Sequence, residues 1–524
     1  MSTTTRLHLG ILSVLFAAAA LVNSVPYLFN ELSPAYRQSS DATVHVVQWQ
    51  QYASTYSGNF DNDVMFRNYQ AQPTGTLFVN RVLVRISELL GVGILEWSVI
   101  ISILSLMLFL SGVYTLVLYT TKKPLLGLII GLVSIIPVIS LGLSSWGFLT
   151  LGFVPKELSL GIAVWLTILY LRGVSDNSPA RIAGFFALLG LFSNWYPPLF
   201  FHYALVLMTV EVLRARAITK AQVLYGVVFL LAAPVALFDI FIKAGGFTQP
   251  ILAIIVSHYG VPLQSLSYLL IHYLRKQIIY VVLVGILWYI YRRVLQKEYP
   301  PLMTLWYYIW WSTLVLSLIG VGIEVFYPLY MKYLLSRVSV WFYLASMIIV
   351  TYTAHELWFA RFSYSLRTSA VFAVLMMIVL LGQTSVLNVY HGAQKFRQNA
   401  TNYQNYLSIV THLRETVPPG TLVLANPDGE ANTVRAYGGV GTYVAAKDGN
   451  VTLFDGNAAT IWFNRYQEVQ GVFAERDFKA IRFFAIAHGL QYYLFDTTDL
   501  NSGMDELKKS TVLQSGSYGL AKLF

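Results

Sequence analysis

Three aspartates follow the first apolar run of this chain: Asp41, and Asp61 and Asp63 about twenty residues later in the stretch GNFDNDVMFRNY. Two carboxylates at i, i+2 can both hold one divalent cation, Mg or Mn, through hard oxygen ligands, and leave room for a phosphate oxygen. A third carboxylate nearby can take the proton of an attacking hydroxyl. The ordinary reading of the same residues is a set of solvated loop acids. Two basic residues could complement such a site. Lys156 follows Pro155 in FVPKELSLGI, and Arg337 stands in LLSRVSVWF, each at the start of an apolar run. Either can hold a phosphate as a positive charge. The plainer alternatives are a lysine snorkelling at an interface and an ion pair between Arg337 and Glu324. Asn194-Trp195-Tyr196-Pro197-Pro198, with His202 after it, breaks an apolar region in two, which suits a cavity lining.

The elements that carry these residues are membrane helices. Of 524 residues, 56% are hydrophobic and only 11% charged, against about 25% charged in soluble proteins. The mean hydropathy is +0.59. Roughly 20 apolar residues cross a hydrocarbon core of about 30 Å. Stretches of that kind are expected near 8–29, 97–120, 124–143, 157–172, 182–195, 198–214, 221–242, 277–292, 301–321, 338–354 and 368–390, with 182–195 short for a crossing. The first, after Arg6, is longer than a signal-peptide core of 7–15 residues and is expected to stay as an uncleaved helix.

The net charge of +10 does not point to nucleic acid, because the basic residues punctuate helix ends instead of forming a stripe. Lys122 and Lys123, Arg172 and Arg181, Arg214, Arg216 and Lys220, Arg292, Arg293 and Lys297, and Arg361 and Arg367 fall in alternate connections. The positive-inside bias puts those connections and the N-terminus in the cytoplasm, and the C-terminal tail outside. The expected location is the plasma (inner) membrane. There is no cysteine, so no disulfide or thiolate chemistry.

Outside, the loop 30–96 carries two stretches that read as amphipathic helices lying on the membrane, Asp41–Thr55 and Thr76–Leu90. A second outside loop, Ala244–Lys276, holds His258, His272, Arg275 and Lys276. From His391 to Phe524 the composition turns polar and reads as a soluble α/β domain. Asn402–Val417 and Phe478–His488 are expected helices; Thr421–Ala425, Thr442–Ala446, Val451–Phe454 and Gln491–Phe495 are expected strands. That domain has no phosphate loop, nucleophile elbow or zinc pattern, so it suits a lid on the acceptor side. Arg435 and Tyr437, beside the glycines of AYGGVGTY, are its residues expected nearest a cleft, with a plain surface loop as the alternative. Tyr196, His202 and His258 are further candidates for lining it.

This arrangement resembles the GT-C superfamily of polytopic membrane glycosyltransferases, which take sugars from polyprenyl-phosphate donors. The resemblance lies in a first helix followed by a long acidic outside loop, short helix pairs mid-chain and a C-terminal outside domain. It implies a fold of about eleven membrane helices over residues 1–390 with an extracytoplasmic α/β domain over 391–524. It implies Asp41, in SSDATVHVVQWQQY, as the base; Asp61 and Asp63 as the cation site; and Lys156 and Arg337 as contacts to the donor phosphate. The partners implied are a polyprenyl-phosphate-linked sugar, membrane lipids and an acceptor of unknown identity, with no nucleic acid. Trp310-Trp311 is followed by Ser312, so the W-W-D acceptor motif of oligosaccharyltransferases is missing, which argues against transfer to asparagine. Two other classes stay open: a non-catalytic scaffold that binds a membrane-protein partner, and a lipid or sugar transporter. No line of regularly spaced acids runs through the helices to support the latter, and no inverted repeat is evident.

Overall fold

Proline punctuates the bundle. Among the described residues six helices begin on a proline, the short Pro234–Leu237 included, where the missing N–H leaves no bond unmade and the fixed φ already suits a helix. In this computed structural model, which describes residues 3–24, 40–65, 74–136, 138–139, 145–147, 152–239, 266–326, 338–381, 400–428, 430–448 and 456–524, several helix ends are described by backbone alone, residues 41 and 266–276 among them. The helices are α1 (Thr3–Ser24), α2 (Ser40–Gln50), α3 (Thr74–Leu90), α4 (Ile94–Thr121), α5 (Pro124–Ser134), α6 (Pro155–Ser175), α7 (Pro179–Ser193), α8 (Pro197–Ala215), α9 (Lys220–Ala232), α10 (Leu266–Tyr289), α11 (Pro301–Phe326), α12 (Ser339–Arg361) and α13 (Leu366–Leu381). After them come α14 (Ala400–Thr416), α15 (Gly456–Ala474), α16 (Phe478–Ala487) and α17 (Met504–Ser510).

A helix occurs at each of the eleven places expected for a membrane segment. Among the described residues, six are both long and apolar enough to cross a membrane, and this is an integral membrane protein. The expected span at 124–143 is a correction. Its helix ends at Ser134, and the chain turns into a two-residue strand β1 (Val138–Ile139) paired antiparallel with β2 (Ser145–Trp146). Eleven residues at about 1.5 Å each cannot cross a bilayer. Trp146 closes this corner: its Nε1 donates to Ser134 Oγ at 2.9 Å and its ring lies 5.2 Å from Phe109. At the centre stands α12, buried on every side from Ser339 through Thr353. Around it, α10 and α13 turn rows such as Ile278–Val282–Ile286 and Val371–Val374–Ile378 outward, as lipid-facing helices do.

Contacts at the two ends fix the directions of the helices. At one end Trp306 Nε1 donates to Thr120 Oγ1 and Lys123 lies 3.7 Å from Glu356. At the other, the backbone N of Phe153 donates to Ser98 Oγ, and Tyr203 stacks on Trp341 at 3.6 Å. The starts of α4, α6, α8 and α12 therefore gather at one end, and α2 and α3 sit there with them.

α2 is not a surface helix as its sequence suggested. Thr43, Val44 and Val46 to Gln50 are all buried, against α3, α4 and the C-terminal part of the chain. α3 shows why. Its apolar row Phe78, Val82, Ile86 and Leu89 faces outward, and its polar row Thr76, Asn80 and Ser87 faces in. It is an amphipathic helix turned inside out, apolar toward the lipid side and polar toward α2. Its N-terminal end rests on the α7–α8 corner, where Thr76 Oγ1 donates to the carbonyl of Trp195. Gly75 permits this approach: a Cβ there would lie 1.6 Å from the Asn194 carbonyl oxygen. Gly75→Ala is expected to destabilise the protein by about 1–3 kcal/mol, because backbone, not a flexible side chain, must give way. Thermal unfolding of the detergent-solubilised protein measures it.

The C-terminal part is a five-stranded sheet in the order β4 (Gly441–Thr442), β3 (Leu422–Leu424), β5 (Tyr492–Asp496), β7 (Tyr518–Lys522), β6 (Thr511–Ser515). β3 runs parallel to β4 and to β5, and β7 is antiparallel to β5 and β6. α16 buries Phe478, Ile481, Phe484 and Ala485 on one helical face against this sheet. The expected strand at 442–446 is reduced to Gly441–Thr442, and the one at 451–454 lies outside the described residues. The sequence reading missed α15 and the β6–β7 hairpin. Gly516, at φ +59°, and Ser517 make its two-residue turn, a signal that was legible.

Candidate functional site

Two polar regions meet where α2 leaves the bundle. The first is a wall built on α2. His45 is only half-buried, and it is the one described side chain of this helix that is not fully buried. Asp41, one turn earlier, shares its face; the side chain of Asp41 lies outside the described residues. The face abuts the segment before α6. The His45 ring lies edge-on to Phe153 at 6.1 Å, and Trp49 stacks on the same phenylalanine at 4.8 Å. Three residues after Phe153 comes Lys156, half-buried in the first turn of α6 behind Pro155, with Glu157 buried beside it. The polar positions of α3 complete the wall from behind. Trp49 Nε1 donates to Asn80 Oδ1 at 3.0 Å, Asn80 Nδ2 donates to Gln48 Oε1 at 3.2 Å, and the same oxygen lies 3.1 Å from His45 Nδ1.

The second region is a seam between the first loop and the C-terminal sheet. Gln50 Nε2 donates to the Ala436 carbonyl, Asn59 Nδ2 to that of Gly439 and Asn62 Nδ2 to that of Gly420. At its centre the Asp63 carboxylate accepts from Arg435 Nε at 2.7 Å and Nη2 at 3.1 Å, and from the Thr442 backbone N at 2.9 Å. The same guanidinium donates to Asp448 at 2.6 and 3.1 Å. All three side chains are fully buried. Burial pushes the Asp63 carboxyl up, more than the neighbouring Arg435 lowers it, and the Asp448 carboxylate acts in the same direction as burial. Gly441 makes room, since a Cβ there would come within 3.1 Å of Asp63 Cβ. A half-open cavity of about 410 Å³ lies along the seam, lined among others by Tyr56, Asn59, Arg414, Pro418 and Gly439. The Arg414 guanidinium stands 5.5 Å over the Tyr56 ring.

These positions correct part of the sequence reading. Asp61 is exposed and Asp63 is interior and bound to Arg435, so the two do not present their oxygens to one cation. Among the described residues no group of three or more His, Asp or Glu is placed to hold a metal ion. A Mg or Mn at Asp61 and Asp63 does not fit this geometry, because Asp63 would have to abandon Arg435. Arg435 and Tyr437 are interior, 0% and 1% exposed, and do not line a cleft. No sequence signal tied Arg435 to Asp63, which lies 372 positions away.

Of the other candidates, Tyr196 is half-buried before α8, and His202 is buried in its first turns, next to the Tyr203 that stacks on Trp341. Arg337, just before α12, and His258 lie outside the described residues, as does the side chain of Glu324. Glu211 accepts from Tyr170 Oη and pairs with Arg214, which makes it a structural acid. Trp310 donates to Ser346 Oγ inside the bundle, so Trp310-Trp311-Ser312 belongs to a membrane helix.

A second titratable group marks the edge of the C-terminal sheet. Burial pushes the Glu430 carboxyl up to about 8, with Asp499 and Asp496 adding to it. A carboxyl raised in the folded state keeps its proton while the unfolded chain ionises. Stability therefore falls as pH rises from near 4.5 to near 8, and is constant above that. Glu430→Gln should be near neutral at pH 4.5 and stabilising at pH 8, on the order of 3 kcal/mol. Unfolding measured at both pH values tests the sign.

No protein-family model matches the sequence, and no curated protein matches it. The fold has clear structural neighbours. The oligosaccharyltransferase of Archaeoglobus fulgidus tethered to an acceptor peptide with an NVT sequon superposes with a TM-score of 0.52 at 10% identity, over 94% of this chain and 69% of that one. The same archaeal enzyme, AglB, in complex with an inhibitory peptide and a dolichol-phosphate gives 0.54 at 11% identity, over 95% and 70%. The chain shares the fold of these archaeal oligosaccharyltransferase structures.

Proposed function

We propose that this protein is a membrane glycosyltransferase that moves a sugar from a polyprenyl-phosphate donor to an acceptor outside the cytoplasm. The observation that carries the reading is the wall beside α2, where half-buried His45, one helical turn after the position of Asp41, packs edge-on to Phe153, three residues before Lys156. A donor phosphate would lie at the N-terminus of α6, where backbone N–H groups and Lys156 favour an anion, with Arg337 as the second positive charge. Lys156 sits at the bundle end opposite Lys123 and Arg172, where the positive-inside bias does not account for it.

Asp41 would take the proton of the acceptor hydroxyl as its oxygen attacks the anomeric carbon. The bond from that carbon to the phosphate oxygen breaks, and the electron pair leaves with the phosphate. Stabilising that leaving group calls for fixed positive charge, which Lys156 and Arg337 would supply. The acceptor would approach along the seam beside the C-terminal sheet, where the Tyr56–Arg414 cavity offers an aromatic face and polar groups. The N-terminus and the basic helix ends would face the cytoplasm, and residues 391–524 the outside.

The test is transfer of labelled sugar from synthetic polyprenyl-phosphate donors by the purified protein in nanodiscs, with release of polyprenyl phosphate as the second readout. Absence of both, together with copurification of a stoichiometric membrane partner, would instead favour the scaffold reading.

A further inference from the structure

The cavity along the seam keeps its polar groups in fixed places. The Arg414 guanidinium stands 5.5 Å over the Tyr56 ring, and Phe60 stacks against that ring at 6.4 Å. A cation over an aromatic face is attracted to it, which restrains the long arginine side chain. Pro418 and Pro419 stiffen the chain where it leaves α14. Asn59 and Asn62 tie the first loop to the carbonyls of Gly439 and Gly420 across the seam.

The backbone around the cavity has little left to offer a ligand. The Gly420 backbone N donates to the Asn59 carbonyl, the Gly420 and Gly439 carbonyls accept from asparagine amides, and the two prolines have no N–H. An extended peptide is held mainly through main-chain bonds, and these partners are already taken. The side chains are not. Among the described residues, the Arg414 guanidinium, the Glu415 carboxylate and Asn59 Oδ1 make no hydrogen bond or ion pair. One cation balances one anion, so no excess positive charge favours a nucleic-acid strand. The planar guanidinium offers paired donors and the carboxylate paired acceptors, each suited to two neighbouring hydroxyls, and the amide oxygen accepts from a third. A ligand whose every edge carries neighbouring hydroxyls is a saccharide. The volume of about 410 Å³ is that of a small-ligand site.

We propose that this cavity binds a saccharide, its hydroxyls held by Arg414, Glu415 and Asn59, and that this saccharide is the acceptor of the transfer. Its role as acceptor rests on the glycosyltransferase reading given above. Saccharide binding at the seam does not depend on that reading.

The experiment is calorimetric titration of the full-length protein in nanodiscs with trisaccharides of glucose, galactose, mannose and N-acetylglucosamine. A peptide carrying an NVT sequon, the acceptor tethered in the archaeal structure, is the comparison. The expected result is binding of at least one trisaccharide with a Kd of about 1 mM or tighter. Arg414→Lys and Glu415→Gln should each weaken it about 10- to 100-fold at unchanged Tm, the value of hydrogen bonds to a charged group. Lysine keeps the charge and loses the paired donors, so a merely electrostatic role would leave the affinity near that of the wild type. The bound trisaccharide should also accept labelled sugar, with KM raised in Arg414→Lys and kcat little changed.

No trisaccharide binding by the wild type overturns the proposal, as does binding that both variants keep. Binding of the peptide alone, weakened by the same substitutions, overturns it in favour of a protein acceptor. Sugar transfer with a KM indifferent to Arg414 and Glu415 removes this site and leaves the glycosyltransferase reading intact. Variant-sensitive saccharide binding by a protein that uses no polyprenyl-phosphate donor removes that reading and leaves the site.

Discussion

Arg435→Met is expected to destabilise the protein by about 3–5 kcal/mol and to release the first loop from the C-terminal sheet. The guanidinium holds two carboxylates, Asp63 and Asp448, in an interior where all three side chains are shut off from water. Without it, two like charges remain buried and unpaired. Most of the loss is the penalty of those stranded charges, and little of it is the net worth of the ion pairs. Arg435→Lys should fall between, because a lysine keeps the charge but cannot span both carboxylates with a planar fork. Adding Asp63→Asn and Asp448→Asn to Arg435→Met should recover part of the stability, as removing the whole group relieves the stranded charge. Thermal unfolding gives the energies. Limited proteolysis of the full chain should show new cleavage within residues 51–63, since Asn59 and Asn62 would lose the surface they bond to. A change under about 1 kcal/mol with an unaltered digest would mean that the seam is held by its other contacts.

Asp41→Asn is expected to lower sugar transfer by about 10²- to 10⁴-fold, the range of a lost general base. The substitution keeps size and hydrogen-bonding capacity, so α2 should stay folded and donor binding should change little. Lys156→Ala makes the useful contrast. If Lys156 holds the donor phosphate, its loss should raise KM and also slow the chemical step, because charge on the leaving phosphate grows toward the transition state. Undiminished transfer by Asp41→Asn would remove the base assignment and leave the proton to be taken elsewhere. Both variants are measured with the polyprenyl-phosphate assay.

Much of the architecture was legible because the bilayer imposes a length. Stretches such as 97–120, 157–172 and 301–321 are helices in place because their apolar residues are contiguous and prolines mark where several begin. The sequence was misleading at 124–143 because apolarity alone cannot tell a spanning helix from one that stops at Ser134 and turns into a buried hairpin around Trp146. It was misleading again at α2. A short helix with alternating valines, glutamines and a tryptophan looks like one for the interface when its neighbours are unknown. The polar inward row of α3 supplies partners for Gln48 and Trp49, and so lets α2 be buried.

The candidate site divides in the same way. Residue types and local spacing were sufficient to single out the first loop and Lys156 as candidates, because these depend on the order of apolar and polar segments along the chain. The fate of each aspartate was not local. Asp61 and Asp63 are two residues apart, yet one is exposed and the other is interior. The difference is Arg435, brought in by the fold of a sheet more than 350 positions later in the chain. His45 carried no motif at all. Its Nδ1 faces Gln48, which Asn80 and Trp49 hold in turn, partners that only the packing of α3 against α2 supplies. Length and hydrophobic pattern determined that this protein lives in a membrane, since the cost of burying polar groups in lipid acts on contiguous sequence. Which charges face one another was decided only in the tertiary structure, since their interaction depends on distance and burial and not on position along the chain.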